Sequence, residues 1–427
     1  MFRLTKAQVL PIGVDIGSDS VKMLQLEVVD NALSVVAAAR QTLTEEARTG
    51  SLDQRLAIAA DAVRQMLKQD AFTGREVVLS VPRELVHVKN LRMPPIPANE
   101  LAAAVDFEAR NVFPFDTTTA QIRHLPAGEV RQGSESRQEV IVLAAKNDEL
   151  DSFVERFHNV GAIVASVDVE PCALYRGIER FIRRREDEQD VHVVVDIGCR
   201  QTLIVIGRGR DICFVKTINM GGEQLNGAVA RKLGLSVDEA RTLRRRLSET
   251  PDEPTTRDPV RQAVFDATRG VIDDLGREIA LCLRYYSVTF RGSRPTRMRL
   301  TGGEACDPVV VSLLNGCVPT PVEPSRPLVS ANISKMKPAD RRGGLSEWAV
   351  AMGLALRSTK QCFGARDGRP RTANGPRGEA APTGTPISSD PAMASTVVNF
   401  EQVLASAAVQ TPDLQTVPLG KGINAHA

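Results

Sequence analysis

Val14-Asp15-Ile16-Gly17-Ser18-Asp19-Ser20-Val21-Lys22 and Val195-Asp196-Ile197-Gly198-Cys199-Arg200-Gln201-Thr202 decide how this chain is read. Each segment follows a short apolar strand and leads into another, so the same Asp-Ile-Gly turn occurs once in each half. One copy alone reads as a tight hairpin holding an aspartate. Two copies at matched positions of an alternating strand and helix pattern read as an internal duplication.

The chemistry of such a turn is specific. Gly17 and Gly198 let the backbone turn sharply and expose successive N–H groups, which form a concave nest for phosphate oxygens. Ser18, Ser20 and Thr202 add hydroxyl donors, and Lys22 adds a point charge. Asp15 and Asp196 precede the turns at strand ends. Two facing carboxylates there suit hydrated Mg2+, which prefers a few carboxylates plus water and phosphate oxygens. Two further glycine turns follow the second copy: Met220-Gly221-Gly222-Glu223 before a helical pattern, and Thr301-Gly302-Gly303-Glu304 after a short strand. Both allow close approach to a nucleotide, and both also occur as ordinary strand-end turns.

Outward from these turns, residues 12–16, 21–28 and 33–38 read as strands. Leu52, Leu56, Ala59, Val63 and Leu67 recur at helical spacing, and 76–81 is a strand stopped by Pro82. From Arg83 to Val160 a second block follows. Leu101, Val105, Ala109 and Val112 mark a helix ended by Pro114, and 138–144 is a strand. Asn147 is the expected cap of a helix with face Leu150, Phe153, Val154 and Phe157, stopped by Gly161. From Val191 the opening pattern returns with strands at 192–197, 202–207 and 212–218. A long helix carries Val260, Val264, Val271, Leu275, Ile279 and Leu283, and a strand lies at 297–300. Trp348 reads as core, preceding a small-residue helix that packs back on the first half.

Bulk properties exclude several classes. The 427 residues are 42% hydrophobic and 25% charged with net charge +2, so neither nucleic acid nor an anionic membrane is demanded as a partner. The seven cysteines (Cys172, Cys199, Cys213, Cys282, Cys306, Cys317 and Cys362) are scattered and read as reduced thiols. The five histidines show no metal-ligand spacing. No apolar run approaches the roughly 18 residues of a spanning helix, and residues 1–10 show no secretory pattern. The basic triplets at 183–185 and 244–246 are followed by acidic residues and read as solvated faces.

Taken in order, the four turns resemble those of the actin, sugar-kinase and heat-shock-chaperone ATPases, a ribonuclease H-like two-lobed α/β fold. More narrowly the chain resembles the PilM family, actin-like proteins of bacterial type IV pilus assembly that are themselves similar to FtsA. That narrower resemblance rests on I-G-V-D-I-G-S-D-S-V-K-M-L-Q-L from residue 12, V-V-L-S-V-P-R-E-L-V from 77, and E-L-A-A-A-V-D-F-E-A-R-N-V-F-P-F-D from 100. V-D-V-E-P-C-A-L from 167 and G-G-E-Q-L-N from 221 complete it.

The resemblance implies ATP with Mg2+. The first turn would supply Asp15, Gly17, Ser18, Asp19, Ser20 and Lys22, and the second Asp196, Gly198, Cys199 through its N–H, and Thr202. Gly221, Gly222, Gly302 and Gly303 would lie near the nucleotide, and Glu239 on the adenine-side helix, where Arg244 stands in the usual place of a lysine. Asp15 and Asp196 would hold Mg2+ through water. It also implies a first lobe in two parts (1–82 and 161–190), an inserted small α/β subdomain (83–160), a second lobe (191–340) and a returning helix (341–358). Its partner would be the cytoplasmic N-terminal peptide of a PilN-like inner-membrane protein, with other pilus assembly proteins, and membrane contact only through partners.

Residues 359–427 are rich in Pro, Gly, Ser, Thr and Ala and read as a disordered tail. Within it Val397, Phe400, Leu404 and Ala408 sit at helical spacing, as a docking helix or a helix without partner. The sequence singles out no residue to orient an attacking water, so hydrolysis is expected to be slow or absent. An FtsA-like division scaffold and a small-molecule kinase of the same fold are the alternative functions.

Overall fold

The computed structural model describes residues 7–69, 71–132, 134–250, 258–290 and 294–359, and the backbone of Thr396–Val397. In the first lobe, β1 (Gln8–Val9), β2 (Ile12–Ile16), β3 (Ser20–Val29) and β4 (Ala32–Thr42) precede α1 (Glu45–Thr49), α2 (Leu52–Gln69) and β5 (Glu76–Ser80). An excursion follows: β6 (His87–Met93), α3 (Leu101–Val112), β7 (Ala120–Gln132) and β8 (Glu135–Lys146). The chain returns through α4 (Asn147–Asn159), β9 (Ile163–Asp168) and α5 (Glu170–Glu179).

The second lobe holds β10 (Val191–Ile197), β11 (Thr202–Arg208), β12 (Asp211–Ile218), α6 (Gly222–Leu233), α7 (Val237–Glu249) and α8 (Pro259–Phe290). It continues with β13 (Met298–Thr301), α9 (Pro308–Cys317) and β14 (Val322–Pro324). Then β15 (Ala331–Asn332) and α10 (Ala349–Ala355) cross back to the first lobe, and β16 (Thr396–Val397) adds to the edge of β6.

The duplication is exact in strand order. The first sheet runs β4-β3-β2-β5-β9 and the second β12-β11-β10-β13-β14. In each, the first three strands are an antiparallel meander and the last two pair parallel beside the opening strand. β2 and β10 are therefore central, flanked on both sides, and every residue of β2 is buried. That explains why they read as continuous apolar runs rather than alternating ones.

The returning helix packs as its small residues require. A Cβ on Gly13 of β2 would lie 2.1 Å from the Ala351 carbonyl oxygen, and one on Gly353 would lie 1.8 Å from that of Ala173 in α5. Two glycines thus let α10 sit against β2 and α5. Trp348 is fully buried beside it and donates its indole N–H to the Asp340 carbonyl at 3.0 Å.

Three local readings change. α4 lies in the 83–160 block, yet its Phe153 and Phe157 share a core with Leu56, Val63 and Leu79 of the first lobe. Asn147 does not cap α4: Lys146 holds the cap position, and the Asn147 side-chain Oδ1 accepts from Gln121 Nε2 at 3.0 Å. Val397 is in a strand rather than a helix, while Phe400, Leu404, Ala408 and nearly all of the 359–427 segment lie outside the described residues.

The inserted sheet, β16-β6-β8-β7, touches both lobes. Side chains alternate along β8. Val140, Val142 and Ala144 face α3 with Leu91, Val105 and Ala109. Ile141, with Ala127 and Val130 of β7, joins Tyr285, Tyr286 and Phe290 of α8 in the core of the second lobe. Between the faces, Glu139 is buried, accepts from Arg92 at 3.0 Å and lies 3.4 Å from the Tyr285 hydroxyl.

Candidate functional site

The two Asp-Ile-Gly turns have the same geometry. Gly17 N–H donates to the Ser20 carbonyl at 3.1 Å, and Gly198 N–H donates to the Gln201 carbonyl at 3.0 Å. A Cβ on either glycine would meet that same carbonyl oxygen at 3.0 Å. Both turns open into one cavity of about 360 Å3 between the lobes, within the size range of small-molecule sites. Asp15, Gly17, Ser18, Asp19, Ser20 and Lys22 line it from the first lobe, and Asp196, Gly198, Cys199, Gly302 and Gly303 from the second.

The strand ends fix the carboxylates. Asp15 pairs across the meander with Lys22, whose ammonium donates to Asp15 Oδ2 at 2.9 Å. Burial pulls the Lys22 ammonium down, but Asp15, and behind it Glu347, outweigh burial and hold it above its ordinary value. Asp196 Oδ1 accepts from Thr301 Oγ1 at 2.9 Å, from the end of the neighbouring parallel strand. At the equivalent strand end of the first lobe, Ser80 Oγ accepts from Ile16 N–H at 3.1 Å. Burial raises the Asp196 carboxyl, with Arg83 opposing and Asp15 adding.

Arg83 and Glu170 are among the lining residues to which the sequence assigned no role. Glu170, the first residue of α5, stands on the cavity floor, and the Arg83 guanidinium bonds to it. Arg83 also reaches Asp196 Oδ2 at 3.3 Å. Burial pushes the Glu170 carboxyl up to about 7 against the pull of Arg83, with Asp196 and Asp15 adding to the rise. Both lie in stretches that carry the family resemblance, V-V-L-S-V-P-R-E-L-V and V-D-V-E-P-C-A-L, but the local signal at Glu170 is a helix start, which by itself says nothing of a cleft.

Four expected residues are not in the cavity wall. Glu239 is exposed and closes a capping box at the start of α7: it accepts from Ser236 N–H at 2.8 Å while Ser236 Oγ accepts from Glu239 N–H at 3.2 Å. Thr202 is buried and donates its hydroxyl to the Met220 carbonyl at 2.7 Å. Gly221 and Gly222 instead brace the second turn from behind. Gly222 N–H donates to the Gly198 carbonyl at 3.0 Å, and a Cβ on Gly221 would meet that oxygen at 2.5 Å. Arg244 does line the cavity, but its guanidinium is taken by Asn226 at 2.8 Å, Glu304 at 2.5 Å and Asp307 at 3.0 Å. It ties α6, α7 and the Thr301–Gly303 turn together.

Gly302 is required by its backbone. Its φ is +88°, and a Cβ there would lie 2.4 Å from the Ile197 carbonyl. Gly303 beside it has open space. Burial pushes the Cys199 thiol up to about 12 and keeps it protonated.

Two sheets of one strand order, facing across a cleft with a glycine turn from each, make this an actin-like two-lobed protein. A solved PilM–PilN type IV pilus biogenesis complex is similar, with TM-score 0.66 and 22% identity over 81% of this chain and 98% of that one. Residues 13–359 match the family described as type IV pilus assembly protein PilM, and the chain belongs to that family. More distant likenesses include the ethanolamine utilization protein EutJ from Carboxydothermus hydrogenoformans, at TM-score 0.47 and 12% identity over 82% of this chain and 89% of that one. MreB5 of Spiroplasma citri bound to ADP follows, at 0.42 and 10% over 82% and 95%. Among the described residues no helix is long and apolar enough to cross a membrane.

Proposed function

We propose that the chain binds ATP with Mg2+ in the cleft and uses the bound state to recruit the cytoplasmic N-terminal peptide of a PilN-like inner-membrane protein. The observation that carries the reading is the pair of superimposable turns, each with a buried aspartate at its strand end, converging on one cavity. The N–H groups that follow each glycine, with the Ser18 hydroxyl, suit phosphate oxygens.

The residues fit Mg2+. Three buried carboxylates, Asp15, Glu170 and Asp196, cluster on the cavity beside Lys22 and Arg83. No three metal-ligating side chains converge tightly among the described residues. That suits an ion held through water by Asp15 and Asp196 and completed by phosphate oxygens. When bound, Mg2+ would neutralise phosphate charge. Gly302 and Gly303 leave room for the nucleoside, while Glu239, being committed to its cap, takes no part.

Glu170 is the carboxylate positioned to orient water, but it is held by Arg83, which supports slow turnover at most. The partner reading rests on family membership and on the inserted sheet, whose β6 edge takes up the two-residue strand β16 of this chain and so shows that it accepts an added strand. Association with the inner membrane would run through that partner. The alternative kinase would need a free catalytic carboxylate beside a second substrate pocket, and Glu170 is not free.

Calorimetric titration of the full chain with Mg–ATP, followed by capture on an immobilised N-terminal peptide of the candidate partner with and without nucleotide, tests both parts. Saturable nucleotide binding with nucleotide-dependent capture supports them. Absence of heat at saturating nucleotide overturns the first part, and absence of capture in either condition overturns the second.

A further inference from the structure

Arg83 occupies an unusual position. It follows Pro82 at the end of β5, opens the turn that leads to β6, and points its guanidinium into the cleft floor. One arm is bound to Glu170 of the first lobe; the other, Nη2, reaches Asp196 Oδ2 of the second at 3.3 Å. The second contact is long for a charge-assisted bond, which settles at about 2.7–2.9 Å. Asp196 is meanwhile engaged by Thr301 at 2.9 Å through its other oxygen. The Nη2 arm is therefore the loosely committed end of a guanidinium whose other end is anchored.

The carboxylate that Nη2 touches is also one that the cleft reading gives to hydrated Mg2+. Two cations then compete for one oxygen. A divalent ion with its waters at Asp196 leaves Nη2 facing whatever the ion brings, which for a nucleoside triphosphate is the terminal phosphate. A planar fork of N–H donors suits phosphate oxygens. A diphosphate would bring the ion but no third phosphate, so Nη2 would find no phosphate oxygen in that position.

We propose that Arg83 is a specificity-determining residue of the cleft, which distinguishes a nucleoside triphosphate from a diphosphate by donating to the terminal phosphate. This rests on the nucleotide reading above. It predicts that the preference for triphosphate resides in this one side chain, whereas the glycine turns bind the phosphates common to both nucleotides.

The test is calorimetric titration of the full chain with Mg–ADP and with the β,γ-imido analogue of Mg–ATP, for wild type, Arg83→Met and Arg83→Lys. The wild type should prefer the triphosphate by about ten-fold, the lower end expected for a hydrogen bond to a charged group. Arg83→Met should bring the ratio close to one, whatever it does to the affinity that both nucleotides share. Arg83→Lys, which keeps the charge and protects against a folding artefact, should fall between. An unchanged ratio in Arg83→Met, or equal weakening of both nucleotides in both variants, overturns the proposal and makes Arg83 a structural tie. A wild type that binds neither nucleotide overturns the cleft reading itself, a result distinguishable from either of those.

Discussion

The Arg48 guanidinium of α1 donates to Asp238 Oδ1 of α7 at 3.0 Å, so a first-lobe residue grips the second lobe beside the cleft. Arg241, one turn along α7, also bonds to Asp238 at 2.6 Å and lies 3.9 Å from Asp19 of the first turn. A chain of charges thus crosses between the lobes. Asp238 is half exposed, so the Arg48 bridge is worth about 0.2–1 kcal/mol. Arg48→Ala should speed nucleotide release up to about five-fold, and added salt should speed wild-type release by a similar factor while changing the variant less. Stopped-flow displacement of a fluorescent nucleotide measures both; identical rates in the two proteins would show that the bridge holds nothing closed.

Asp196→Asn should weaken Mg–nucleotide binding about ten-fold to a hundred-fold, the scale of losing a charged hydrogen-bond acceptor. The effect should shrink when titrations are repeated with excess chelator in place of Mg2+. Equal losses with and without the metal would mean that Asp196 serves only to anchor Arg83 and Thr301.

Two glycines in helices should respond in opposite directions. Gly353→Ala places a methyl where the Ala173 carbonyl stands and should cost about 3 kcal/mol or more in urea unfolding. Gly270→Ala, inside α8 with open space around its Cβ direction, should stabilise by about 0.5–1 kcal/mol. If both shifts had the same sign, α10 would not be seated on α5 as described.

His192 of β10 should make stability pH-dependent. Burial lowers its imidazole pKa and the Arg299 guanidinium adds to this, while its Nε2 is buried without a hydrogen-bond partner among the described residues. The unfolded chain takes up a proton near pH 6.5, whereas the folded site resists it. The associated stability is therefore complete above about pH 6.5 and declines below it, until the folded imidazole also titrates. Urea midpoints at pH 7.5 and 5.5 should differ less in His192→Asn than in wild type; parallel losses in the two proteins would mean the imidazole protonates freely in place.

Features set by short-range chemistry were legible in the sequence. The Asp-Ile-Gly turns announce themselves because a sharp turn needs glycine and a strand end exposes the aspartate. The duplicated fold followed from seeing that turn twice. Features set by sheet order were not. Arg83 and Glu170 are 87 residues apart and meet only because β5 pairs with β9. Nothing in the periodicity marks β7 as a strand, since Pro126 and Gly128 interrupt it where a register shift bends it. Glu239 shows the converse: a Ser-x-x-Glu box just before the helix was present in the sequence, and the structure commits its carboxylate to that cap.

The inserted sheet is entered and left through the first lobe, yet its β7–β8 face is sealed against α8 by Tyr285, Tyr286 and Phe290. Opening the cleft would have to slide that aromatic seam or flex the short connections around residues 83–86 and 146–147. Either movement would turn the β6 rim relative to β2, so a ligand on that rim would be linked to a cleft that it never touches.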